Sequence, residues 1–449
     1  MPPDLMSVLI RNATILTMND AMDVVTGDVW VRGGRIAGVG ASLPGADGAT
    51  IVDASGDLLL PGFVQTHVHL CQTLFRGLAD DLPLLDWLRT RVWPLEAAHD
   101  AATLAAAARL AAAELLTSGT TTVLTMETVH DTDAVFDALV PTGLRAVVGK
   151  CLMNDRGEAP ARLHQDTQAA LDESLALHRR WTGAANGRLR AALAPRFALS
   201  CSRDLLEATA ALSQTEGLLV HTHASEQRDE IALVRERTGL DNIAYLDAVG
   251  LATPRLCVAH CVWVSDAEQA VLAERRAKVL HCPGSNLKLG SGIAPVPEMR
   301  ARGISVSLGA DGAACNNSLD MFHEMRLAAT LPAMRLGPGA LPAREVVRMA
   351  TREGAIALGL DHDIGSIEIG KKADLILVAG DRAHQAPGAD PYATLVYASR
   401  PTDVWLTMVD GEIVARDGQV RWAERGGVAD QARAAARTLM RRVADSQAG

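Results

Sequence analysis

No two cysteines of this chain stand in a C-x-x-C pair, no apolar run reaches the eighteen or so residues that cross a bilayer, and no Lys/Arg tract interrupts an acidic balance. Each absence excludes something. Cys71, Cys151, Cys201, Cys257, Cys261, Cys282 and Cys315 are odd in number, which fits reduced thiols in the core rather than a disulfide framework. Cys71, Cys261 and Cys282 lie within two positions of a histidine, so a thiolate ligand is considered, but the paired spacing of a cysteine zinc site is missing. A formal net charge of −10 opposes a nucleic-acid partner, which requires clustered cations against phosphates. The H-x-E plus P-C-x-x-C arrangement of deaminases that act on bases in nucleic acid is also absent. The opening MPPDLMSVLIRNATILTM carries no basic segment ahead of its apolar stretch, so the expectation is a cytoplasmic protein with no membrane association. There is no repeat of fixed period and no Pro- or Ser-rich linker, so domains should pack closely.

With 449 residues, 48% of them hydrophobic and 21% charged, the chain can bury more than one core and should fold throughout. Residues 8–17 and 28–39 read as apolar strands, with Gly33-Gly34 where a hairpin turn needs positive φ. A short run at Ile51–Val52 follows. From Phe63 to Gly359, apolar runs alternate with Ala- and Leu-rich helical stretches. Eight runs can be counted, at 63–66, 121–125, 145–151, 189–194, 218–222, 255–259, 277–280 and 305–309. That count predicts an α/β fold, a (β/α)8 TIM-like barrel over 61–362. Hairpin patterning returns in GKKADLILV and DVWLTMVDGEIVARDG, with a turn at Asp410-Gly411, before a final Ala/Arg-rich helix. Residues 1–60 and 363–449 should therefore join as one small β-sandwich domain interrupted by the barrel.

His67 and His69 close the first barrel run as H-x-H, and residues i and i+2 of a strand point the same way. Alone, the pair is as compatible with structure as with metal. The other candidates, however, recur at the same place in their own units: His223, His260 and His281 at strand ends, and Asp311 after the eighth run. Barrel enzymes gather functional groups at the C-terminal ends of different strands, and imidazole nitrogens with one carboxylate suit a zinc-like ion that keeps a position open for water. Glu226, three residues after His223, has the reach to move protons to and from such a water. The alternative is that it merely opens the next helix, whose first turn favours acids.

The segments PGFVQTHVHLCQTLFRGLADDLPLLDWL, HTHASE, VAHCVWV, HCPGSNLKLGSGIAPVPEM and LGADGAACNNSLDMFHEMRLA together resemble the amidohydrolase superfamily, in its branch of nucleoside deaminases, guanine deaminases and triazine hydrolases. The resemblance implies that His67, His69, His223 and Asp311 bind one divalent metal ion, with zinc expected first and iron second. It implies that His260 contacts the hydrolytic water beside Asp311, that Glu226 is the proton shuttle, and that His281 shapes the pocket without ligating. Catalysis would rest on Glu226, His260 and Asp311.

Substrate positions are mixed. Glu96, in VWPLE, matches the acid that holds ribose hydroxyls in the nucleoside deaminases, but Lys150 and Arg196 depart from that pattern at positions expected to touch substrate. Gln72, Arg196 and Phe197 match residues that contact purine in the guanine deaminases. The expected activity is hydrolytic deamination of an amino-substituted heterocycle, a guanine-like base or an adenosine-type nucleoside, with the free base first, releasing ammonia. A triazine hydrolase expelling chloride or an alkylamine is the alternative, and a non-catalytic metal-binding scaffold the reading from another class. The partner is a small molecule; self-association is left open.

Overall fold

The computed structural model describes residues 7–43, 46, 48–155 and 157–448, so the opening MPPDLM, on which the absence of a basic segment was noted, lies outside them. The chain begins in a mixed sheet. Strands β1 (Ser7–Leu16), β2 (Val24–Arg32) and β3 (Arg35–Gly40) form antiparallel pairs, and β4 (Thr50–Asp53) and β5 (Leu58–Pro61) run parallel to β1. The β2–β3 turn uses Gly33 and Gly34 at φ 57° and 79°, conformations a side chain would strain. After the barrel, β15 (Leu375–Val378), β16 (Val404–Val409), β17 (Glu412–Arg416) and β18 (Gln419–Val420) complete the sheet. The two chain ends meet where β5 pairs antiparallel with β15, Leu59 opposite Leu377. Among the described residues they form one continuous nine-stranded sheet.

Between them lies a TIM-barrel-like α/β body of parallel strands β6 (Phe63–His69), β7 (Thr120–Met126), β8 (Arg145–Leu152), β9 (Leu189–Pro195), β10 (Val220–Ala224), β11 (Leu256–His260), β12 (Lys278–His281) and β13 (Val306–Leu308). Each falls within three residues of its expected run. The eighth differs. It breaks after Leu308 and resumes as β14 (Asp311–Gly312), which pairs parallel with Val68 and His69 of β6. Gly309 makes the crossing feasible, because a Cβ there would lie 2.6 Å from the His67 carbonyl oxygen.

Helices cover the barrel as their apolar spacing requires. Ala101–Thr117 starts at an Asp100–Thr103 capping box and buries Leu104, Ala108, Ala111, Ala112 and Leu115 along one stripe. The final helix, Gly427–Ala448, buries Ala432 and Leu439 in the cluster that holds Phe75 and Trp87. Barrel and terminal sheet are tied by Arg145 of β8, which donates to Asp374 at 2.8 and 3.1 Å and to Asp410 at 2.7 Å. No helix among the described residues is long and apolar enough to cross a membrane.

Candidate metal centre and active site

β6 extends to His69, so His67 and His69 are both strand residues on one face, and the pairing of β14 with β6 sets Asp311 beside them. β10 supplies His223. One ligand atom from each of His67, His69, His223 and Asp311 lies within 4.8 Å of the others. His67 Nε2 and His69 Nε2 approach Asp311 Oδ1 at 3.1 and 3.2 Å, and His69 Nε2 lies 3.3 Å from His223 Nε2.

The opposite ring nitrogens decide the protonation of these groups. His69 Nδ1 donates to the Met126 carbonyl at 2.8 Å and His223 Nδ1 to the Arg196 carbonyl at 2.7 Å, since a carbonyl can only accept. Burial takes the His223 imidazole well below its ordinary value, so its Nε2 lone pair faces inward, and His69, with Nδ1 held by Met126, presents its Nε2 to the same place. Burial takes the His67 imidazole down to about 4, so it too is a neutral donor, and its fully buried Nε2 has no hydrogen-bond donor near it. Lone pairs facing one another and a carboxylate at such distances repel unless a cation sits among them, and N3O is a donor set that suits zinc. The residues fit a divalent metal ion.

Glu226 and His260 stand beside this cluster. Glu226 Oε2 is 3.5 Å from His260 Nε2, which is 3.9 Å from Asp311 Oδ2. Burial pushes the Glu226 carboxyl above its ordinary range, against the pull of His260. Glu226 also precedes the helix Arg228–Thr238. The acids of that helix's first turn are Asp229 and Glu230, and Glu230 closes the capping box, so Glu226 is left free of that role. His260, Cys261, Ser225 and Asp311 adopt φ of 74°, 47°, 57° and 62°. Such left-handed conformations cost about 1–3 kcal/mol each and persist where the fold holds a functional loop in place.

Gln72, Arg196, Phe197, Glu226, His260 and Asp311 line one cavity, which Leu84, Trp87, Leu88 and Leu289 wall on an apolar side. Glu96 lies behind that lining. Its carboxylate accepts from Arg196 Nη1 at 2.6 Å, Arg196 Nη2 at 3.2 Å and Gln72 Nε2 at 2.9 Å. The two residues that the sequence set against each other, Glu96 for ribose and Arg196 for a ring carbonyl, are thus one buried ion pair. Because the carboxylate only accepts, it fixes the Gln72 amide and leaves Gln72 Oε1 buried without a partner.

Lys150 does not line the cavity. Alternate residues of a strand face opposite ways, and Lys150 of β8 turns outward to Gln165 at 2.6 Å and Glu173 at 3.5 Å. His281 is buried at the end of β12, outside the ligand cluster. The cysteines near the histidines stay out of it as well, and burial pushes the Cys71, Cys261 and Cys282 thiols up. Sequence reasoning missed Asn286, which accepts at 2.9 Å from His260 Nδ1, and Ser285, which donates to Asp311 Oδ2 at 2.6 Å; both sit in the quoted segment HCPGSN. It missed Ser291, which donates to Glu226 Oε1 at 3.1 Å. It also missed His221, whose signal was a second H-x-H in HTHASE.

A parallel barrel with three imidazoles and a carboxylate at its C-terminal mouth, flanked by a buried acid and a fourth histidine, is the frame of a metal-dependent hydrolase. The amidohydrolase family model matches residues 58–414, and the chain belongs to that family. It is a hydrolase of carbon–nitrogen bonds, in the deaminase group. It is 42% identical to the 5'-deoxyadenosine deaminase of Methanothermobacter thermautotrophicus over 96% of this chain and 99% of that one. It is 40% identical to the 5-methylthioadenosine/S-adenosylhomocysteine deaminase of Symbiobacterium thermophilum over 97% and 99%. Among solved structures, a zinc-bound adenosine deaminase from Xanthomonas campestris superposes with a TM-score of 0.90 at 31% identity, over 98% of this chain and all of that one.

Proposed function

We propose that this chain hydrolytically deaminates an adenosine-type nucleoside with an uncharged 5' end, using one zinc ion held by His67, His69, His223 and Asp311. The observation that carries the reaction class is the convergence of four acceptor atoms within 4.8 Å beside Glu226 and His260 in one cavity. A bound divalent ion supplies positive charge that makes water nucleophilic at neutral pH. Glu226 takes the proton of the attacking water and returns it to the ring nitrogen, after which the exocyclic amine leaves as ammonia and a ring carbonyl remains. His260, steered by Asn286, donates to the developing oxygen, and Asp311 accepts the second proton of the attacking water and passes it to the exocyclic amine, which is how that amine leaves as ammonia.

For the substrate, the relatives named above shift the reading from a free base to a nucleoside, and two features of the cavity support the shift. Gln72 Oε1 is an acceptor in need of a donor, which a ribose hydroxyl supplies. The wall of Leu84, Trp87, Leu88 and Leu289 suits a 5' carbon or thioether. A free oxo-purine is the second reading, favoured by Arg196 and Phe197 on the same lining. This reading carries with it a closed (β/α)8 barrel over 61–362, its eighth strand counted as β13 plus β14, and a sandwich built from 1–60 and 363–449.

The test is ammonia release from 5'-deoxyadenosine, methylthioadenosine, S-adenosylhomocysteine, adenosine, guanine and an aminotriazine, with chloride release from a chlorotriazine in parallel. The 5'-uncharged nucleosides should be fastest. Exhaustive chelation should abolish turnover, and about one zinc per chain should restore it. Guanine outpacing every nucleoside would overturn the substrate, and turnover untouched by chelation would overturn the metal.

A further inference from the structure

We infer that His221 is a positioning residue for the metal site: it dictates which ring nitrogen of His67 carries the proton and so makes His67 a ligand. The inference rests on the metal-site reading above. His69 and His223 have their Nδ1–H groups pinned by main-chain carbonyls, Met126 and Arg196, but His67 has no carbonyl in that role. Its Nδ1 lies 2.6 Å from His221 Nε2 instead. The other nitrogen of His221, Nδ1, lies 3.2 Å from the carbonyl of Thr125.

The chain of donors runs one way. A carbonyl only accepts, so His221 holds a proton on Nδ1 towards Thr125 and presents Nε2, 2.6 Å from His67 Nδ1, as the acceptor. His67 must then donate from Nδ1, which leaves its Nε2 bare and directed at Asp311 and the other two ligands. The rings meet edge to face at 90°, with centroids 4.8 Å apart, and both residues have 0% exposure, so no solvent competes for the contact. His221 reaches this place because it is two residues before His223 on β10 and points to the same side. Strand β7 thereby sets two ligands through adjacent carbonyls: His69 directly through Met126 and His67 through Thr125 and His221. Without an acceptor at His221, the proton of His67 can move to Nε2, where it faces the metal position and opposes binding.

Two variants and one wild-type measurement test this. His221→Leu removes the acceptor, and His221→Gln restores a group that donates to Thr125 and accepts from His67. Zinc affinity of the chelator-stripped protein, measured by competition with a chromophoric chelator, should weaken about 10- to 100-fold in His221→Leu and recover in His221→Gln. Nitrogen-15 spectra of the stripped wild-type protein should show His67 protonated at Nδ1. A proton on Nε2 in the wild type, or His221→Leu binding zinc within about threefold of wild type, overturns the inference. If His221→Leu does not fold, the wild-type spectrum and His221→Gln still decide. Wild-type protein that binds no zinc would instead refute the metal-site reading itself.

Discussion

Glu96→Ala should cripple the protein through Arg196, although Glu96 does not face the cavity. The side chains of Glu96 and Arg196 are 1% and 4% exposed and share two charge-assisted hydrogen bonds of 2.6 and 3.2 Å. Removing the carboxylate leaves a guanidinium in a buried site with no counter-charge, and breaking such a pair from one side costs about 3–5 kcal/mol. The pair's own attraction is a smaller quantity, because desolvation has already offset much of it, so the loss comes mainly from stranding one charge. Arg196→Ala should cost about the same for the mirror reason, and the double alanine variant should cost clearly less than the sum. Glu96→Ala also frees the Gln72 amide from its anchor, and Arg196→Ala leaves that anchoring carboxylate without its counter-charge, so both should raise KM in the same direction. The assay is urea unfolding of the metal-loaded protein at one pH for all four members of the cycle, with KM measured alongside. Single-variant losses that add to within about 0.5 kcal/mol, or a KM effect confined to Arg196→Ala, would refute the reasoning.

Glu226→Gln should bind zinc as wild type does and lose at least about a hundredfold in kcat, because the amide cannot cycle a proton; near-normal turnover ends the shuttle assignment. Burial pushes the Glu324 carboxyl up to about 8, against donors from Gly284 and Asn316. The unfolded chain ionises this group near its ordinary 4.5, so its stabilisation is full below that pH and is lost as pH rises towards 8, by at most about 1.4 kcal/mol per unit. The melting temperature of wild type minus that of Glu324→Gln should therefore fall between pH 5 and pH 8; a constant difference would show that Glu324 is ionised throughout.

Much of this molecule was decided within short stretches of chain. Strand–helix alternation from Phe63 onward announced the barrel because apolar periodicity is local. The Gly33-Gly34 and Asp410-Gly411 turns announced the terminal hairpins because they require positive φ, and they have it. His67 and His69 were legible as a pair because strand residues two apart share a face, and His223, His260 and Asp311 were legible because each ends or follows a strand. The fold alone decided the rest, since it depends on which long-separated groups meet. Glu96 and Arg196 stand 100 residues apart and His67 and His221 154 apart, and only the tertiary fold brings each pair within hydrogen-bond distance. Lys150 could be read as a substrate contact until strand pleating turned it outward to Glu173. Sequence position named the strand ends where chemistry collects; packing decided which side chains there face the cavity, which face one another, and which nitrogen of each histidine is left bare for a metal.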